Sequence, residues 1–129
     1  MAEAEFKHIA TFEDRDSVVL TVLEQRLDSE EVTVALRREL FAAVASAPSN
    51  LVLNLRNVKM MHTLALQTLL ELRKSVLVKQ GRIVLCGLNP AVAMMLEVTG
   101  FIDRHNSSHA LFETDPDVAS ALARLNAVP

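Results

Sequence analysis

Short apolar runs bounded by turn residues alternate along this chain with segments of helical period, and that alternation points to a sheet with helices packed on it. Phe6 to Phe12 and Ser17 to Leu23 read as two strands joined by the polar turn Glu13-Asp14-Arg15-Asp16 at hairpin spacing, the second strand being apolar on both faces. Asp28-Ser29-Glu30-Glu31 places a capping side chain ahead of carboxylates that favour a helix N-terminus. Val32, Leu36, Leu40 and Val44 follow at i,i+4 spacing, and this amphipathic helix ends before Pro48. Leu51 to Leu55 is a short central strand with Leu51, Leu53 and Leu55 on one face.

The pattern Leu66, Leu69, Leu70, Arg73, Leu77 predicts a second helix from about Thr63 to Lys79, stopped by Gly81. Arg82 to Cys86 is another buried strand, and Asn89-Pro90 pairs a cap with a proline to open a short helix that runs to Val98 and ends at Thr99-Gly100. Leu111-Phe112-Glu113 reads as a last edge strand. Asp115-Pro116-Asp117 then opens a terminal helix carrying Val118, Leu122 and Leu125. The expected architecture is α/β, a mixed sheet of about five strands with four packed helices. It forms a single domain over residues 1–129 with its core at about 6–126.

Composition narrows the function classes. Half of the residues are apolar, which is globular rather than disordered. Thirteen basic against sixteen acidic residues give a net charge of −3 with no basic stripe, so nucleic acid is not expected as a direct partner. The longest apolar runs, such as Val18 to Leu23, fall far short of the ~20 residues of a membrane helix. The acidic start Met1-Ala2-Glu3-Ala4-Glu5 is unlike a secretory signal, so the expected compartment is the cytoplasm. The single cysteine, Cys86, ends an apolar run and reads as a small buried hydrophobe. The glycines stand at 81, 87 and 100, and neither nucleotide-binding glycine pattern can be written from them. No acid/base pair or activated nucleophile stands out, so no catalysis and no cofactor are expected. His105 and His109 are four apart, a spacing that can ligate zinc on one helical face. They lie around the loop-like Asn106-Ser107-Ser108 without a suitably spaced carboxylate or thiol, which reads against a metal site.

Four stretches, in order, carry a resemblance. They are Val22 to Asp28, ending Arg26-Leu27-Asp28; Leu51-Val-Leu-Asn-Leu-Arg-Asn-Val58; Gly81-Arg-Ile-Val-Leu-Cys-Gly-Leu-Asn-Pro90; and Leu96-Glu-Val-Thr-Gly-Phe-Ile102. With the terminal helix they make the chain resemble, over about residues 6 to 126, the STAS domain of anti-sigma factor antagonists. Between the third strand and second helix that family usually carries aspartate, a phosphorylated serine, serine or threonine, glycine and leucine. Here the positions read His62-Thr63-Leu64-Ala65-Leu66. The resemblance places Thr63 at the phosphoacceptor position and matches Leu66, whereas the aspartate and the glycine are missing.

Independently of the family, Thr63 sits where a loop becomes a helix, a place that favours an anion. A phosphate there would bring about −1.5 to −2 charges into a surface of Met60, Met61, Leu64 and Leu66, which an apolar partner face would reject. The other reading makes Thr63 only an N-cap, contributing about 1 kcal/mol. His62 either supplies a positive charge to that phosphate or is an ordinary loop residue. Met60 and Met61 are an adaptable contact surface, or one of them fills core. Met60, Met61, His62, Leu64, Ala65 and Leu66 are thus the candidate partner-binding residues around the candidate phosphoacceptor Thr63.

The resemblance implies a non-enzymatic regulator that binds an anti-sigma factor, a histidine-kinase-like serine/threonine kinase, and is switched by phosphorylation. Two alternatives stay open. One is an unphosphorylated STAS subunit of a signalling scaffold or lipid-transport assembly. The other is a small-ligand module with an apolar pocket near Met60 and Leu64.

Overall fold

The structure, a computed structural model, describes residues 6–46, 48–103 and 110–127. The elements are β1 (Ile9–Asp14), β2 (Ser17–Val22), β3 (Arg26–Leu27), α1 (Glu30–Ala45), β4 (Asn50–Asn54), β5 (Met60–Met61), α2 (Thr63–Val78), β6 (Ile83–Cys86), α3 (Pro90–Val98), β7 (Glu113–Asp115) and α4 (Val118–Leu125). His105 and His109 lie outside the described residues. Strand order is β1-β2-β4-β6-β7, with β1 antiparallel to β2 and the remaining neighbours parallel. This is the five-stranded mixed sheet with four helices that the alternation of elements predicts, with Leu51 to Asn54 in its central strand.

Helices cover both faces, which explains the continuous apolar runs of the inner strands. Leu20, Leu51, Leu53 and Leu85 pack with Leu36 and Leu40 of α1, Leu69 and Leu72 of α2 and Leu96 of α3. On the opposite face Val19, Val52, Val84 and Cys86 meet Ala121 of α4, with Val118, Leu122 and Leu125 at the margin. Burying one leucine such as Leu53 fully contributes about 1.5–3 kcal/mol.

Several boundaries move. The first hairpin tightens: β1 runs to Asp14, and only Arg15 and Asp16 turn, with Arg15 at φ 56. The last strand starts two residues late, because Phe112 leaves the edge to enter the core and stack on Phe101 with 5.8 Å between centroids. The cap of α4 is Asp117, which accepts from Ser120 N–H, while Asp115 stays in β7 and binds Arg124. The buried face of α2 is Ala65, Thr68, Leu69, Leu72 and Val76 rather than Leu66, Leu70 and Leu77. The helix is apolar on more than one side, and Thr68 can be buried because its hydroxyl donates to the Leu64 carbonyl at 3.1 Å. Its C-terminus closes with Gln80, not Gly81, in the left-handed conformation at φ 63. Gly81 is required for a different reason: a Cβ there would lie 1.7 Å from the Ser49 carbonyl oxygen.

The two-residue strands β3 and β5 pair in parallel as a separate small sheet, Arg26 beside Met60 and Leu27 beside Met61. That pairing is absent from any local pattern. It brings the starts of α1 and α2 together at the carboxyl ends of the parallel strands.

Candidate functional site

The segment from Leu55 to Thr63 is held at both ends and along its length. Leu55, Val58 and Met61 are buried anchors, each 1 % exposed or less. Asn57 Nδ2 donates to the Val22 carbonyl at 3.0 Å, Lys59 N–H to Gln25 at 2.7 Å and His62 N–H to Leu27 at 2.9 Å. At its base Asn54 Oδ1 accepts from Arg56 N–H at 3.2 Å. Thr63 therefore stands at a fixed place on the carboxyl edge of the sheet.

Its helix begins without a side-chain cap. His62 is the N-cap residue, with extended φ −106 and ψ 176, and its carbonyl accepts from Ala65 N–H at 3.0 Å and Leu66 N–H at 3.3 Å. The imidazole makes no capping bond. The other three helices are capped, by Ser29 on Val32, by Asn89 on Ala91 and by Asp117 on Ser120. The reading of Thr63 as the cap is corrected: it is the first helical residue, where its hydroxyl cannot reach back to the N–H groups a cap serves. The Thr63 and Leu64 N–H groups have no acceptor among the described residues.

Thr63 and His62 are exposed, Met60 is 39 % exposed, and Leu64 and Leu66 are half-buried. Met61 and Ala65 leave the candidate contact set: at 1 % and 4 % exposure they are core residues facing α1 and the sheet. Two neighbours that local reasoning missed complete the surface. Arg26 donates from Nε to Asp28 Oδ2 at 2.8 Å, and its Nη2 lies 3.4 Å from the Met60 sulfur. The Arg26 hydrogen bond, helped by the nearby His62, holds the Asp28 carboxyl below its usual range. Only the non-local pairing of β3 with β5 places these side chains there, so a motif search along the chain has no signal for them.

Behind the site, Val22, Leu27, Leu36, Leu53, Met61 and Leu69 enclose a seam of about 10 Å³, against the roughly 300–1,000 Å³ of small-molecule sites. A ligand near Met60 and Leu64 would have to open this core. Burial pushes the Cys86 thiol up to about 11, with Asp117 and Asp115 adding to the effect. Among the described residues, no group of three or more His, Cys, Asp or Glu is arranged to hold a metal ion, and no helix is long and apolar enough to cross a membrane.

A search of curated proteins finds no match. Solved structures match closely in fold. An anti-sigma factor antagonist from Mycobacterium paratuberculosis superposes with a TM-score of 0.75 at 22% identity, over 92% of this chain and 93% of that one. The Bacillus cell fate determinant SpoIIAA in its phosphorylated form gives 0.66 at 15% identity, over 92% and 99%. A chain from the molecular architecture of the stressosome, a signal integration and transduction hub, gives 0.63 at 19% identity, over 90% and 95%. The STAS domain profile matches residues 10–121, the sheet apart from Ile9 and the helices as far as the middle of the last one, and on that match the chain belongs to the STAS domain family.

Proposed function

We propose that this STAS domain is a non-enzymatic, cytoplasmic regulator of the anti-sigma factor antagonist type. It binds a histidine-kinase-like anti-sigma factor through the start of α2 and is switched by phosphorylation of Thr63. The observation that carries the reading is an exposed Thr63 as the first residue of α2, the one helix among the described residues without a side-chain cap, rimmed by exposed Met60 and half-buried Leu64 and Leu66. Unmodified, this rim offers a mostly apolar contact. A phosphate on Thr63 finds free N–H groups and the positive helix end beneath it, so the fold tolerates it. A partner surface closing over the same point would trap an unpaired charge, at a cost of several kcal/mol and orders of magnitude in affinity.

The departure of His62, Leu64 and Ala65 from the usual motif, with the likeness to a stressosome chain, favours a second reading: a STAS subunit built into a signalling assembly without phosphate transfer. One experiment separates the two. The purified protein is incubated with ATP and a histidine-kinase-like anti-sigma factor that it captures from its native lysate, the modified residue is mapped by mass spectrometry, and binding of wild type and Thr63→Glu to that kinase is compared by calorimetry. Phosphate on Thr63, with at least tenfold weaker binding of Thr63→Glu, supports the switch. Equal binding by both proteins and no modification hands the site to the assembly reading.

A further inference from the structure

The two adjacent methionines of β5 carry an inference about a second way to alter the Thr63 rim. Successive strand residues point to opposite sides, so the pairing of β3 with β5 that buries Met61 at 1 % exposure turns Met60 outward at 39 %. The Met60 sulfur is held in place. Arg26 Nη2 donates to it at 3.4 Å, and that guanidinium is anchored in turn on Asp28 Oδ2, by Nε at 2.8 Å and by Nη2 at 2.7 Å. The arginine side chain is 64 % exposed, so the sulfur it contacts lies at the solvent boundary. A thioether is a weak acceptor. An oxygen on the same sulfur would be a strong one, within reach of a fixed cationic donor. Of the other described methionines, Met95 is half-buried and Met94, on α3, is 66 % exposed.

We infer that Met60 is an oxidative modification site: hydrogen peroxide converts its thioether to the sulfoxide, and Arg26 fixes the new oxygen on the surface beside Thr63. In that step a sulfur lone pair attacks one peroxide oxygen and forms the S–O bond as the O–O bond breaks. The departing hydroxide takes the proton left on the transferred oxygen and leaves as water. The sulfur loses two electrons and the peroxide gains them; reversal needs a methionine sulfoxide reductase. The fold accommodates the oxygen, because Met60 belongs to neither core cluster and its N–H···S contact becomes a charge-assisted N–H···O bond. Met61 has no such outlet. An oxygen on its sulfur would be buried among Val22, Leu27 and Leu55, so it stays reduced while the protein is folded. The effect on docking rests on the reading of this rim as the partner contact. A polar oxygen held over Met60 gives an apolar partner face a hydrogen-bonding group to desolvate, as a phosphate on Thr63 gives it a charge.

The test treats the full chain with limiting hydrogen peroxide and maps sulfoxides by peptide mass spectrometry. Met60 and Met94 are expected to oxidise together and Met61 about a hundredfold more slowly, catching up only on denaturation. In protein carrying Met94→Leu, the oxidised form should keep its unfolding midpoint and shift the NMR signals of Arg26 Nε–H and the Asp28 amide, and methionine sulfoxide reductase should reverse those shifts. Affinity for the histidine-kinase-like anti-sigma factor captured from the native lysate should fall about tenfold or more on oxidation. Met60→Leu, whatever its starting affinity, should lose nothing further. Met60 oxidised as slowly as Met61 overturns the inference. So does a Met60 sulfoxide that leaves the Arg26 signals unmoved, and so does a peroxide effect on binding that persists in Met60→Leu. If Thr63→Glu and the oxidised protein both bind like wild type, the rim is not the contact and the proposed function fails, while the sulfoxide map and the Arg26 signals still decide the modification.

Discussion

Replacing His62 by asparagine should stabilise the protein, an unusual expectation for a residue in a candidate binding surface. The backbone at His62, φ −106 and ψ 176, already has the extended form of Ser29 at φ −122 and ψ 149 and of Asp117 at φ −151 and ψ 175, both of which cap their helices. An asparagine oxygen there can accept from Leu64 N–H, which has no acceptor among the described residues, without moving the chain. A new N-cap contributes about 1 kcal/mol, and the imidazole it replaces is exposed and makes no capping bond. For a chain of this length that corresponds to a rise in Tm of about 3–5 °C. His62→Asp adds the favourable helix dipole but stands near Asp28, so it should gain no more than the asparagine at low salt and should approach it as salt rises. The assay is urea unfolding of wild type, His62→Asn, His62→Asp and Ser29→Ala, the last calibrating a cap in the same protein at about 1 kcal/mol lost. If Ser29→Ala costs its usual amount while His62→Asn gains nothing, the start of α2 is satisfied in some way that the hydrogen-bond geometry does not contain, and the account of an open anion-accepting end is wrong.

Gly81→Ala should cost several kcal/mol or prevent folding, because its Cβ would sit 1.7 Å from the Ser49 carbonyl oxygen and both partners are backbone; a loss under about 1 kcal/mol in chemical denaturation would refute the clash. Asp28, Glu71 and Asp117 are held below their usual range by Arg26, by Arg37 and by the Ser120 N–H respectively. Because their folded values lie below the unfolded ones, their stabilisation is present above the ordinary carboxylate range and is lost as pH falls through the folded values. Unfolding free energy should therefore decline below about pH 4, less steeply in Asp117→Ala, and an unchanged slope in that variant would remove Asp117 from the account. Cys86, fully buried with its thiol raised to about 11, should resist alkylation in the native state and react along the denaturation curve, whereas fast labelling of folded protein would contradict its burial.

What the sequence made legible was whatever is decided within a few residues. Ser29 ahead of Glu30 and Glu31, Asn89 ahead of Pro90, and Leu51, Leu53 and Leu55 at alternate positions all lie where local rules put them. Three things escaped because they are decided elsewhere. β3 and β5 are two residues each and exist only by pairing with one another. The face of α2 is set by α1 and the sheet, which accept Thr68 and Ala65 and leave Leu70 and Leu77 at 38 % and 46 % exposure. The position of Thr63 at a loop-to-helix boundary was readable, but its place one residue inside the helix depends on His62 N–H being drawn to the Leu27 carbonyl across the small sheet.

These two classes of information meet at α2, and their disagreement there is informative. Three helices agree at every level, with a capping side chain, a helical segment and a buried face. The fourth has its buried face and lacks the cap, at the point where the preceding loop is most firmly tied by Leu55, Val58, Met61 and three hydrogen bonds. A loop so anchored has little freedom to rearrange, and α2 is fixed along its length by Leu69, Leu72 and Val76 and by the paired hydrogen bonds of Arg37 with Glu71 at 3.0 and 2.9 Å. Any charge added to Thr63 would therefore act where it sits, by changing what can dock on the rim of Met60, Leu64 and Leu66, and the phosphorylated protein should keep the backbone of the unmodified one.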